Sequence, residues 1–243
     1  KCGIIKPGCD VVCYADQPRE ALETIERVCR ERGVRLTVPD KKDVKIIESG
    51  IYGSRFSYRG IETTVPLMGL HQVYNAIGVI EAARALARRG YNITDDMISA
   101  GIAETKWVGR LEPVCRKPYC VIDAAHNPDA VRVLTNTVDQ LFAGRRIVTV
   151  MGILADKDYM KCIPEVAKRS SVFIATTPDS PRALSAAETS NIASQYCNET
   201  YTEPSIEEAV DKAFELAGDD GMVLICGSLY VIGKAKTYIR EKA

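Results

Sequence analysis

Hydrophobic and polar positions along the 243-residue chain follow two regimes that meet near residue 110. In the first, Val11–Tyr14 is a short β-branched and aromatic run after the Pro7-Gly8 turn and predicts a buried strand. Ala21, Leu22, Ile25, Val28 and Cys29 recur at helical spacing and predict a helix from about Pro18 to Gly33. Val34–Val38 predicts another strand. Between Ile51 and Leu67 the pattern alternates, and Tyr58-Arg59-Gly60-Ile61 predicts a hairpin turn. An alanine-rich helix follows from Gly69-Leu70 to about Gly90, then a short helix over Asp95–Ala103 capped by Thr94.

Beyond residue 110 the alternation is regular. Apolar strands are predicted at 119–122, 147–151, 172–175, near Thr200 and at 222–226. Helices are predicted at 128–141, 158–168, 185–196, 205–216 and 229–240. Continuous apolar strands alternating with helices imply a mostly parallel sheet covered on both faces, so this half is expected to be Rossmann-like. In such sheets ligands bind at the carboxyl ends of the strands. Those ends carry Asp123, His126 and Asn127; Gly152, Asp156, Lys157 and Asp158; Thr176, Thr177 and Arg182; and Gly227 and Ser228. Gly109, permissive in its backbone, precedes Arg110 and Glu112 on a short connector and is expected to serve as a hinge.

Composition narrows the partners. Hydrophobic residues make up 46% and charged residues 26%, and the formal net charge is zero. That balance gives no electrostatic reason to expect nucleic acid or an anionic membrane as partner. No apolar run has spanning length. The nine cysteines form no CxxC pair and have only two histidines to assist them, so they are expected to be reduced thiols in a cytoplasmic protein, without a metal site. GxGxxG and GxxxxGK[ST] are absent, as is HExxH. The chain opens on Lys1, which suggests an excerpt of something longer.

Each candidate has a plainer reading. His71 and Asn75 could cap the helix they begin. Arg110 could pair with Glu112 at little energetic gain. Asp123 could cap the helix at Pro128, His126 could bond a backbone carbonyl, and Lys1 could be a solvated end.

Taken together, KCGIIKPG, FSYRG, HQVYNA, WVGRLE, DAAHNP, LADKD, TTPDSPRAL and GSLYVIG occur in an order that resembles the folylpolyglutamate synthase and dihydrofolate synthase family of the Mur ligase superfamily. The resemblance implies that residues 1–110 are the C-terminal part, or remnant, of a central ATP-binding domain. Residues 111–243 would then be the C-terminal Rossmann-like glutamate ligase domain, the whole being α/β. It also implies an ATP- and Mg2+-dependent ligase that joins L-glutamate to a folate, tetrahydrofolate or dihydropteroate, through an acyl phosphate. Asn75, Arg110 and Asp123 resemble the nucleotide contacts. His126 and Ser228 resemble residues near the incoming glutamate, with His126 in a catalytic role, and Lys1 resembles the carbamylated lysine that positions metal ligands. The metal ligands themselves and the phosphate loop would lie upstream, so this chain alone is expected to be inactive; a monomer is expected. Alanine at 124 departs from the family's usual DGAHNP. The rival readings are a cell-wall amino acid ligase of the Mur type, and a noncatalytic Rossmann-like module that binds a nucleotide or an amino acid.

Overall fold

The computed structural model describes residues 1–242. It divides into two compact units, residues 1–106 and the described residues from 107 onward. The first unit begins with β1 (Asp10–Val12), α1 (Arg19–Glu31) and β2 (Arg35–Thr37), the two strands pairing in parallel. β3 (Val44–Gly50), β4 (Gly53–Tyr58) and β5 (Ile61–Val65) then form an antiparallel sheet in that order. Arg59 and Gly60 both take positive φ, 44° and 88°, between β4 and β5. Two left-handed central residues match the twist of a two-residue hairpin. α2 (Leu70–Arg88) and α3 (Asp95–Ala103) complete the unit, and Val73, Ile77 and Ile80 of α2 pack on Phe56, Tyr58, Ile61 and Val65. The expected strand over 11–14 is shorter and starts at Asp10, and β3 was not foreseen.

The second unit contains β6 (Glu112–Arg116), β7 (Tyr119–Asp123), α4 (Pro128–Leu141), β8 (Ile147–Met151), α5 (Tyr159–Ala167), β9 (Val172–Ala175), α6 (Ala186–Ala193), β10 (Thr200–Thr202), α7 (Ile206–Ala217), β11 (Met222–Cys226) and α8 (Leu229–Lys242). Its six strands lie in the order β10-β9-β8-β11-β7-β6, and every pairing is parallel except β6 with β7. The mostly parallel Rossmann-like sheet is therefore present, with an antiparallel edge strand where a plain connector was expected.

Chain direction explains which helices share a face. From β7 to β10 the chain advances in one direction, and α4, α5 and α6 pack in series. It then reverses to place β11 between β8 and β7. A right-handed crossover in the reverse direction puts its helix on the opposite face, where α7 packs against α8. Cys120, Ile122, Val148, Val150, Ile174, Val223 and Ile225 meet Ala209, Val210 and Ala213 of α7 and Val231, Ile232 and Ala235 of α8. The intervening Val121, Phe173 and Leu224 are buried as well, so both faces of the sheet are covered.

Candidate functional site

Register sets up the site in the second unit. Asp123, Cys226 and Met151 lie abreast at the carboxyl ends of β7, β11 and β8. Just beyond them the backbones of 152 and 227 approach closely. A Cβ on Gly227 would stand 2.5 Å from the Gly152 carbonyl oxygen, and one on Gly152 would stand 2.7 Å from that of Thr176. Only glycine permits this, and it brings Ser228 onto the same edge.

Asp123 is buried and both its oxygens are committed. Oδ2 accepts the Leu111 N–H at 2.8 Å and Oδ1 accepts the Ala125 N–H at 2.8 Å. Burial raises its carboxyl pKa above the ordinary value, against the opposing pull of those two N–H groups and the Arg110 charge. Asp123 does not cap α4. Asn127 does so, accepting from the Ala130 N–H at 2.9 Å, with Pro128 as the first helical residue.

The connector is therefore tied to the strand end. The Ala124 N–H donates to the Gly109 carbonyl at 3.0 Å, and the Gly109 N–H donates to Glu112 Oε2 at 2.9 Å. Lys236 Nζ donates to Glu112 Oε1 at 2.6 Å. Leu111, buried, holds φ of 44°, a conformation that costs a leucine roughly 1–2 kcal/mol and persists because its surroundings fix it. The hinge expected at Gly109 is thus not a free swivel. Gly109 has φ of 69°, and a Cβ there would stand 2.7 Å from Ile232 Cδ1. The compact units divide at Lys106–Trp107, followed by exposed Trp107 and Val108.

Arg110 rides on this fixed loop. It is exposed, and among the described residues its guanidinium reaches only the Gly109 carbonyl, at 3.3 Å. The plainer alternative, a pair with Glu112, is not formed; that carboxylate pairs with Lys236. His126 is half-buried, with Nδ1 2.9 Å from the Ala124 carbonyl oxygen. A carbonyl can only accept, so Nδ1 carries the proton and, in the neutral ring, Nε2 presents a lone pair. The buried Ser228 hydroxyl accepts the Val231 N–H at 3.2 Å in the first turn of α8; its own proton remains to donate.

Arg110, Asp123, His126 and Ser228 thus share one edge of the second unit. Asn75 and Lys1 belong to the first. Asn75 donates from Nδ2 to the buried Gln72 Oε1 at 3.0 Å, and the residue at the amino cap of α2 is Gly69, which has no side chain to offer. Lys1 is exposed ahead of a single 3-10 turn. Sequence reasoning missed Lys236. A signal was available, since 232, 235, 236 and 239 follow helical spacing and the other three are buried apolar residues, leaving a lysine on an apolar stripe. Among the described residues no group of three or more His, Cys, Asp or Glu could hold a metal ion, and no helix is long and apolar enough to cross a membrane.

Residues 109–229 match the family model described as Mur ligase, glutamate ligase domain. The chain is 32% identical over 238 residues to the folylpolyglutamate synthase of Lacticaseibacillus casei, covering 95% of this chain and 54% of that protein. It is 31% identical to the dihydrofolate synthase/folylpolyglutamate synthase of Bacillus subtilis, covering 99% of this chain and 57% of that protein. Among solved structures, Mycobacterium tuberculosis folylpolyglutamate synthase complexed with ADP and AMPPCP superposes with a TM-score of 0.85 at 26% identity, over 98% of this chain and 57% of that one. The chain thus spans a little over half the length of these relatives. With its glutamate ligase domain and its similarity to these synthases on both sides of the unit boundary, the chain belongs to the Mur ligase superfamily, in the folylpolyglutamate synthase and dihydrofolate synthase family.

Proposed function

We propose that the protein of which this chain is part joins L-glutamate to the carboxylate of a folate at the expense of ATP, as in tetrahydrofolate polyglutamylation, with dihydrofolate synthesis on dihydropteroate possible on the same scaffold. The observation that carries this reading is Arg110, a guanidinium without an ion partner among the described residues, on a loop fixed to the strand end that bears Asp123 and His126. The family supplies the anion such an arginine would meet, a nucleotide phosphate.

In this reading the folate carboxylate attacks the γ-phosphorus, ADP departs and an acyl phosphate forms. The glutamate amine then attacks the acyl carbon, and phosphate leaves from the tetrahedral adduct. Arg110 supplies fixed positive charge where the transferring phosphoryl oxygens gain negative charge. His126 offers its Nε2 lone pair to an N–H of the incoming amine, and the Ser228 hydroxyl donates nearby. Asp123 acts through the loop that it holds, and Asn75 would contact the adenine. Mg2+ would neutralise phosphate charge; the described residues offer no carboxylate and imidazole cluster to hold it, and Lys1 would help only indirectly. Residues 1–110 would be the C-terminal part of an ATP-binding domain and residues 111–243 the glutamate ligase domain, in a monomeric cytoplasmic enzyme without nucleic acid or membrane partners.

The test is ADP release by the full-length protein supplied with ATP, Mg2+, tetrahydrofolate and L-glutamate. Release that depends on both the folate and glutamate is expected, with Arg110→Ala lowering kcat/KM by roughly 100-fold. Turnover that ignores folate and responds instead to a cell-wall precursor with its amino acid would overturn the folate reading.

A further inference from the structure

What leaves Arg110 unpaired is itself informative. Glu112 is two residues away and, without another partner, would be a natural counter-ion for it. In the structure both Glu112 oxygens are spent elsewhere: Oε2 on the Gly109 N–H at 2.9 Å and Oε1 on Lys236 Nζ at 2.6 Å. The Lys236–Glu112 pair is sheltered, with side-chain exposures of 13% and 21%, so water competes weakly for it. Lys236 is anchored from far along the chain, on the second turn of α8. That helix is seated in the core by Val231, Ile232, Ala235 and Ile239, with Ser228 bonded into its first turn.

We infer that Lys236 is a positioning residue for Arg110: by occupying Glu112 it keeps that carboxylate from neutralising the guanidinium and holds the Gly109–Glu112 loop in its ligand-ready form. This rests on the reading of Arg110 as a contact for the nucleotide phosphates. In this role Lys236 acts through Glu112 and not on the nucleotide or substrate directly. It acts on where a carboxylate points, and an error of about 1 Å in such an arrangement can cost roughly 100-fold.

The mechanism has a signature that a merely structural lysine lacks. With Lys236→Met, Glu112 is released and can pair with Arg110, so the KM for ATP is expected to rise roughly tenfold or more. Adding Glu112→Gln removes the rival charge while keeping an amide oxygen for the Gly109 N–H, so the double variant should recover most of that loss. The measurement is a double-variant cycle in the full-length protein: KM for ATP and kcat for wild type, K236M, E112Q and K236M/E112Q. Protection of the Gly109 amide against hydrogen exchange is read alongside. Recovery in the double variant, with faster Gly109 exchange in K236M, bears the inference out. A double variant no better than K236M overturns it and leaves Lys236 as packing, as does unchanged Gly109 exchange in K236M. Arg110→Met is run in parallel to separate the two readings. If it leaves the KM for ATP unchanged, the nucleotide role of Arg110 fails, whereas a raised KM in R110M with an unaffected K236M sinks only the positioning role.

Discussion

Each unit contains a buried carboxylate beside an arginine on a short connector with left-handed backbone, and the two arrangements spend the arginine differently. In the first unit Arg59, itself at φ of 44°, donates to buried Glu81 at 2.8 Å and to Asp43 at 2.7 Å, while the Tyr58 hydroxyl donates to the same Glu81 oxygen at 3.0 Å. In the second, Asp123 is satisfied by two backbone N–H groups, Glu112 is held by Lys236, and Arg110 keeps no carboxylate partner among the described residues. The first network closes on itself and stabilises a hairpin. The second spends its carboxylates on backbone N–H groups and a lysine instead of on its arginine. An arginine beside a carboxylate in sequence does not separate these cases; the partner of each oxygen does.

The largest expected effect comes from Asp123→Ala, which would strand two buried N–H groups at Leu111 and Ala125 and free a strained leucine. A loss of about 3 kcal/mol in urea denaturation is expected. A loss below about 1 kcal/mol would mean the connector is not held by this carboxylate. Next, the two arginines should separate cleanly. Arg59→Met leaves a buried carboxylate without its cation and is expected to cost about 2 kcal/mol, whereas Arg110→Met should stay within about 0.5 kcal/mol while weakening nucleotide binding. Equal stability losses would erase the distinction drawn above.

A third effect is confined to alkaline solution. Burial, and then the bond to Glu81 with its charge, raise the Tyr58 hydroxyl above its ordinary value near 10. Above that pH the unfolded chain loses the proton while the folded chain keeps it, so the folded state binds more protons and stability falls as pH rises. Tyr58→Phe should flatten that alkaline limb of the melting temperature against pH. An unchanged limb would place the titration elsewhere.

Much of the second unit was legible because its strands are covered on both faces. The apolar runs at 119–122, 147–151, 172–175 and 222–226 could hardly be anything else, and Asn127-Pro128 announced the start of α4. β3 was not legible, since Lys45 to Ser49 are all exposed and show no alternating burial. Nor was β6, an edge strand carrying Pro113, a residue that argues against a central strand. In the candidate site, Asp123, His126 and Ser228 were placed by the strand ends, and Arg110 by the short connector behind Gly109. Their partners did not. The Lys236–Glu112 pair spans 124 residues of chain, and the left-handed Leu111 gives its N–H to the Asp123 carboxylate twelve residues on.

Ala124 gives the smallest and most pointed test of the clamp. The resemblance to the DGAHNP pattern implies glycine there, which raises the question of whether this backbone position needs a left-handed conformation. Among the described residues the non-glycine positions with positive φ are Arg59 and Leu111, so Ala124 sits in ordinary backbone. Its Cβ lies 3.9 Å from where a Cβ on Gly109 would be, in normal contact range, and its N–H donates to the Gly109 carbonyl. Ala124→Gly would keep that bond, remove one buried methyl and free the unfolded chain, and is expected to cost about 0.5–1 kcal/mol. Thermal unfolding reads the sign. A gain in stability would show that alanine strains the strand end. A small loss would show that the loop is held by the N–H of residue 124, a group that glycine and alanine both supply.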